Sequence, residues 1–137
     1  MPYTATFTIR VKSYEIDQYG HVNNAVFMNW LEHGRSQLLQ DKGFTYLSIT
    51  EHWGVRLVTV GTHINFKAQL GLDDEIIVSS TVKKFGRTSV TYDQRIEKVQ
   101  PDGGRILAGD CETVICFTDP EMKGAVPIPE QFRVLYG

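Results

Sequence analysis

Cysteine is nearly missing from this chain: Cys111 and Cys116 are the only two in 137 residues. They lie five apart in what reads as one strand. An odd offset puts them on opposite faces, where they cannot readily pair. So few thiols exclude a disulfide scaffold and fit a reduced, cytoplasmic setting. Neither joins His21, His33, His52 or His63 at a zinc spacing, so no metal site is expected. Basic excess is also missing. Fourteen Lys and Arg face sixteen Asp and Glu, a net charge of -2, which removes the electrostatic footprint of a nucleic-acid binder. No apolar run reaches roughly 18 residues, so no membrane span is expected. The opening MPYTATFTIRVK alternates and lacks the apolar block of a signal peptide. There is no phosphate-binding glycine fingerprint and no G-x-S-x-G nucleophile turn. No cofactor is expected.

What is present fits one domain, residues 1–137, with an apolar fraction of 42% and length enough for its own core. TATFTIRVKS alternates and reads as a strand. Residues 25–42 carry a helical pattern, with Phe27, Leu31, Gly34 and Leu38 on one face. Trp30 widens that face on one side, and Met28 and Leu39 on the other, which predicts a deeply buried helix. Gly43 is its stop signal. From there the chain turns to β. GVRLVTVGTHINFKAQ places Val58, Val60, Thr62, Ile64 and Phe66 together. EIIVSSTVKKF is the next strand, broken at Phe85-Gly86-Arg87. TSVTYDQRIEKV groups Val90, Tyr92, Gln94 and Ile96. QPDGGR is a hairpin tip, and ILAGDCETVICFTD groups Leu107, Cys111, Thr113, Ile115 and Phe117. The tail PIPEQFRVLY reads as extended, ending in a short helical turn. A strand, a long helix and four long strands is an α+β order, not an alternating βαβ chain. The economical packing is one curved antiparallel sheet wrapped around one apolar helix, its edges covered by a second subunit.

The stretch YEIDQYGHVNNAVFMNWLEHGR carries the chemistry. Asp17 stands three residues before Gly20. His21, Asn23 and Asn24 follow, directly ahead of the helix. A helix N-terminus presents unpaired N–H groups and about half a positive charge, which polarise a carbonyl docked there. Asp17, six residues before Asn23 in a loop closed by Gly20, can reach the same carbonyl carbon as nucleophile or as general base. Each residue also has a plainer reading. Asp17 is a turn-former, Asn23 and Asn24 are caps, and His21 is a hydrogen-bonded loop residue. Glu32 pairs with Arg35 three residues on, or is a second carboxylate facing the site. Lys83, Lys84 and Arg87 form a basic hairpin tip. A solvated tip is the favoured reading, and a landing place for coenzyme phosphates is the functional one.

These residues resemble the hotdog-fold thioesterases, in particular the 4-hydroxybenzoyl-CoA thioesterase-like acyl-CoA hydrolases. DQYGHVNN running into LEHGR is similar to the long-chain acyl-CoA thioesterase branch and to the HVNN of plant acyl carrier protein thioesterases. VTVGTHINFKAQLGLDDEIIV, FGRTSV and PIP extend the likeness over nearly the whole chain. The resemblance implies a hotdog fold, a sheet wrapped on a central helix. It also implies an acyl-CoA substrate and a homodimer or homotetramer with sites at the dimer interface. It makes Asp17 the catalytic carboxylate, Asn24 the first-turn position whose N–H polarises the thioester, and Gly20 the glycine that lets the loop close in. Several relatives carry an aromatic residue where this chain has Asn23 or Asn24, and no histidine at 21, so their acyl specificity does not carry over. Two other readings stand beside hydrolysis. One is a hotdog hydratase or dehydratase, which needs a His/acid pair at a spacing that His21 and Asp17 match poorly. The other is a non-catalytic acyl-CoA-binding protein.

Overall fold

In the computed structural model, which describes residues 2–137, the elements run β1 (Thr4–Arg10), a single 3-10 turn (Ser13–Glu15), α1 (Asn24–Asp41) and α2 (Tyr46–Trp53). Then follow β2 (Arg56–Phe66), β3 (Glu75–Phe85), β4 (Ser89–Val99), β5 (Arg105–Thr118) and α3 (Glu130–Tyr136). The strands make one antiparallel sheet in the order β1-β3-β4-β5-β2. β3, β4 and β5 are a meander joined by short turns, and β1 and β2 are the edges. Helix α1 lies across the inner face, mainly on β1 and β3 and reaching β4. The arrangement is the wrapped sheet that the element order predicts. Among the described residues, no helix is long and apolar enough to cross a membrane.

The face of α1 that the spacing predicts is the buried one. Phe27, Leu31, Gly34 and Leu38 point at the sheet with Trp30 and Leu39 beside them, while Met28 is exposed and does not widen the buried face. At Gly34 the helix backbone comes so close that a Cβ would stand 2.6 Å from Ser80 Oγ and 2.9 Å from Gln94 Nε2. Around this contact sits a polar node. Gln94 Nε2 donates to the Leu31 carbonyl (2.8 Å) and to Ser80 Oγ (2.9 Å), and Arg35 Nη1 donates to Gln94 Oε1 (3.0 Å). The node divides the core. Phe27, Trp30, Leu31, Ile76, Val78 and Ile96 pack toward the start of α1. Leu38, Leu39, Tyr92, Phe117, Phe132 and Tyr136 pack toward its end. There α3 sends Phe132 and Tyr136 into the core, and the Tyr136 hydroxyl donates to the Leu38 carbonyl at 2.7 Å.

Four further expectations are corrected. The chain does not turn directly to β after α1, because residues 46–53 form α2. Thr45 and Ser48 cap it reciprocally, with Ser48 N–H donating to Thr45 Oγ1 (3.1 Å) and Thr45 N–H to Ser48 Oγ (2.7 Å). Val58 and Val60 do not share a face with Thr62, Ile64 and Phe66. A bulge at Val60 shifts the register against β5 between Thr59 and Gly61, and one extra residue flips the alternation. Leu57 and Thr59 therefore join Thr62, Ile64 and Phe66 on the inner face, and Val60 is exposed. In β5 a bulge at Ala108 likewise separates Leu107 from Cys111, Thr113, Ile115 and Phe117. Glu32 and Arg35 form no ion pair. Arg35 turns inward to Gln94, whose side-chain oxygen it finds in the core, and Glu32 stays exposed. The short helical turn expected of the tail is α3, and Cys111 and Cys116 face opposite ways, one buried and one half-buried.

Candidate active site

The loop before α1 folds on its own hydrogen bonds. Gly20 N–H donates to the Asp17 carbonyl (3.0 Å) and Asp17 N–H to the His21 carbonyl (2.8 Å). Asp17 Oδ1 accepts from Tyr19 N–H (2.8 Å) and His21 N–H (3.2 Å), while Oδ2 has no protein partner among the described residues. The carboxylate is thus fixed by one oxygen and open to solvent by the other. Gly20 sits at φ +79°, a conformation that a residue with a Cβ adopts at a cost, and it closes the turn. Isolated bridges Ile16–Val22 and His21–Gly71 tie the two limbs of the loop to each other and to the turn before β3.

Asn23 is the N-cap of α1. Its Oδ1 accepts from Ala25 N–H at 2.8 Å, and its own N–H donates to the Glu15 carbonyl at 3.1 Å. The capping reading of Asn23 is therefore correct as geometry, and it leaves Asn24 as the first helical residue. Asn24 is exposed and opens on a recess of about 290 Å³, with Val22 and Phe27 on one wall and Phe66 and Lys67 on the other. An acyl carbonyl placed in this recess lies at the positive end of the helix.

Glu15 is a member of this assembly that the motif did not reveal. It is buried. Its Oε1 accepts from Lys12 N–H (2.8 Å) and its Oε2 from the Trp30 indole Nε1 (3.0 Å). Both oxygens are therefore satisfied, and the loop is pinned to the second turn of α1. The available signal was an acidic residue between Tyr14 and Ile16, together with a tryptophan on the helix's buried face whose N–H needs an acceptor.

The basic cluster lies elsewhere. Arg10 pairs with Glu75 at the loop end of β3, whereas Lys83 and Lys84 are at its far end and Arg87 is in the turn beyond. Within one chain the cluster is a strand's length from Asp17. Lys83 is bonded to Glu112, which raises its pKa above the ordinary lysine value, while Lys84 and Arg87 are exposed. Glu32 is likewise apart from the loop, at the rim of a second cavity between α1, α2 and β2. The structure thus joins Asp17, Gly20 and His21 by hydrogen bonds in one turn that leads into Asn23 and Asn24, and does not bring Lys83, Lys84, Arg87 or Glu32 to it.

Residues 11–134 match the family model described as thioesterase-like superfamily. The chain is 29% identical over 125 residues to the long-chain acyl-CoA thioesterase of Escherichia coli (strain K12), covering 91% of each protein. It is also 29% identical over 125 residues to a chloroplastic acyl-acyl carrier protein thioesterase of Arabidopsis thaliana, covering 91% of this chain but spanning only 63% of that relative. Among solved structures, a mutant 4-hydroxybenzoyl CoA thioesterase complexed with 4-hydroxybenzoyl CoA superposes with a TM-score of 0.90. That match covers 98% of this chain and 99% of the other at 16% identity, a likeness of hotdog fold.

Proposed function

The chain belongs to the thioesterase-like superfamily, and on that footing we propose that it hydrolyses an acyl-CoA thioester to the free acid and coenzyme A. The observation that carries this reading is the Asp17 carboxylate, held by one oxygen and free at the other, in the loop that runs into the capped N-terminus of α1. The thioester carbonyl takes the recess at Asn24. Its oxygen meets the first-turn N–H and the positive end of the helix, where the charge of the tetrahedral intermediate develops. Asp17 then acts in one of two ways. As nucleophile it forms an acyl-aspartyl anhydride and expels the CoA thiolate, and water cleaves the anhydride. As general base it takes a proton from the attacking water, whose oxygen bonds to the carbonyl carbon; the tetrahedral intermediate then breaks its C–S bond, and the proton held on Asp17 passes to the leaving thiolate. Gly20 shapes the turn, Asn23 caps the helix, and His21 orients the loop through its backbone.

Assembly is part of the reading. β2 is an edge strand with a largely exposed inner face, including Thr59, Thr62 and Phe66, the last at 46% exposure. Such an edge is a template for a second copy. We place a homodimer on it by β2–β2 pairing, with a tetramer formed through a second surface. Lys83, Lys84 and Arg87 of one chain then serve the coenzyme phosphates at another chain's site. Residues 1–137 act as one domain, in the cytoplasm, where two unpaired thiols stay reduced.

A hydratase or dehydratase reading finds less support. His21 meets Asp17 through its backbone N–H, and its ring makes no hydrogen bond to the carboxylate. Thiol release from a panel of acyl-CoAs and acyl carrier protein thioesters separates the readings. A hydrolase liberates free thiol. A hydratase or a binding module liberates none, and that result overturns the proposal.

A further inference from the structure

The second cavity, about 410 Å³, lies between the middle of α1, helix α2 and the first half of β2. Its floor is formed by Arg35, Tyr92 and Ile115, all buried, and its mouth by exposed residues of α2 and β2. The floor is not apolar. Among the described residues the Tyr92 hydroxyl has no hydrogen-bond partner, and Arg35 commits only Nη1, to Gln94 Oε1. Among the described residues no fully enclosed side-chain nitrogen or oxygen is left unpartnered, so these groups open on the cavity. Thr50 is already spent, its hydroxyl hydrogen-bonding the carbonyls of Tyr46 and Val55. Glu32 lines the cavity as well but forms no ion pair with Arg35. Arg35 and Arg56 against Glu32 leave the lining with an excess of positive charge.

The cavity's place along β2 gives it a use. Within one chain it is remote from the helix end: Arg35 is eleven residues after Asn24, roughly 16 Å along the axis. The recess at Asn24 touches the Phe66 end of β2, and the cavity touches the Arg56–Thr59 end. Antiparallel pairing of two β2 strands about a two-fold axis lays the Phe66 end of one beside the Arg56 end of the other. It therefore sets the recess of one chain next to the cavity of its mate.

We propose that this cavity seats the distal end of the acyl group whose carbonyl is bound at the second copy's helix end, and that this end carries an oxygen acceptor held by the Tyr92 hydroxyl and the Arg35 guanidinium. The inference rests on the hydrolase reading and on β2 pairing. An unsubstituted alkyl end would displace water from two buried donors and return no hydrogen bond, which is the situation in which a site discriminates most strongly. The preferred substrates are therefore ω-hydroxy or ω-carboxy acyl-CoAs.

The test is thiol release from matched pairs at several chain lengths: fatty acyl-CoA, ω-hydroxyacyl-CoA and ω-carboxyacyl-CoA. At the best length the oxygenated ester is expected to exceed its plain counterpart at least tenfold in kcat/KM. In Tyr92→Phe, which keeps the ring, that ratio falls at least tenfold. Hydrolysis of all three at equal kcat/KM at every length overturns the inference and leaves the hydrolase reading standing. A preference that survives Tyr92→Phe unchanged overturns Tyr92 as its reader. No thiol release from any ester overturns both.

Discussion

The indole Nε1 of Trp30 donates to Glu15 Oε2 at 3.0 Å, a bond between two buried side chains that joins the loop before α1 to the helix it precedes. The other oxygen of Glu15 accepts from Lys12 N–H at 2.8 Å. Glu15→Gln replaces one acceptor with a donor, so one N–H is left facing another. Trp30→Phe removes the donor and strands a buried carboxylate oxygen. Each change should cost about 1–3 kcal/mol of stability. Urea unfolding measures it, and a loss below about 0.5 kcal/mol would mean that water replaces the bond freely.

Asp17→Asn separates chemistry from turn geometry. Asn Oδ1 can accept from Tyr19 N–H and His21 N–H as Asp17 does, so the loop should persist with little change in Tm. The amide cannot attack a thioester or take a proton from water. Acid–base and nucleophilic roles are commonly worth about 10² to 10⁴ in rate, so kcat should fall at least a hundredfold while KM moves much less. His21→Ala should cost less, because the histidine's contact with Asp17 is through its backbone. A folded Asp17→Asn protein with near-normal kcat would return the loop to a turn and a cap.

Gly34→Ala tests the closest approach of helix and sheet. The new methyl would stand 2.6 Å from Ser80 Oγ and 2.9 Å from Gln94 Nε2. Either those side chains shift, breaking the bonds to Leu31 and Arg35, or α1 lifts. Overpacking of this kind costs typically about 1–3 kcal/mol, against a gain of at most about 1 kcal/mol in helix propensity. Calorimetry should show a lowered Tm. An unchanged or raised value would mean that the node is loose.

The cysteines should be dispensable for turnover. Cys111 is buried on the inner face, and burial pushes its thiol above the ordinary value; Cys116 is half-buried on the other face. The doubly substituted Cys111→Ala, Cys116→Ser protein should keep kcat within a few-fold and lose some stability, since a buried cysteine packs as a small hydrophobe. In the unsubstituted protein, thiol reagents at neutral pH should label Cys116 well before Cys111. A folded double variant without activity would place the nucleophile elsewhere.

The long elements were legible because their patterns are periodic and uninterrupted. The spacing of Phe27, Leu31, Gly34 and Leu38 fixed the buried face of α1, and Val90, Tyr92, Gln94 and Ile96 fixed that of β4. Reading by parity fails at a bulge, which has no signal in an alternation rule. One extra residue at Val60 reassigned half of β2, and another at Ala108 set Leu107 apart. Arg35 illustrates a second limit. Local spacing offered Glu32, but the guanidinium took Gln94, fifty-nine residues away. Helix α2 is short, buries only Ile49, and starts at a Thr–Ser cap rather than the stronger Thr–Glu form. At the candidate site the loop was legible from its residue types. The Glu15–Trp30 bond was not, because nothing periodic links positions fifteen apart.

The order of strands also sets a route of folding. β3, β4 and β5 are consecutive hairpins whose partners meet across short turns, whereas Arg10 meets Glu75 and Phe66 meets Gly109 only after long excursions of chain. Closing those larger loops costs more chain entropy before any contact compensates it. The meander is therefore expected to form first, with β1 and β2 docking onto it later. β2 is also the strand on which the proposed dimer pairs, so in that dimer the last intramolecular step and the first intermolecular one use the same strand. Until β2 docks, β5 is itself a bare edge, and a crowded refolding mixture can fill it with the wrong strand. Pulsed hydrogen exchange during refolding should protect the amides of β4 before those of β2, and the late phase should speed up as the chain is concentrated.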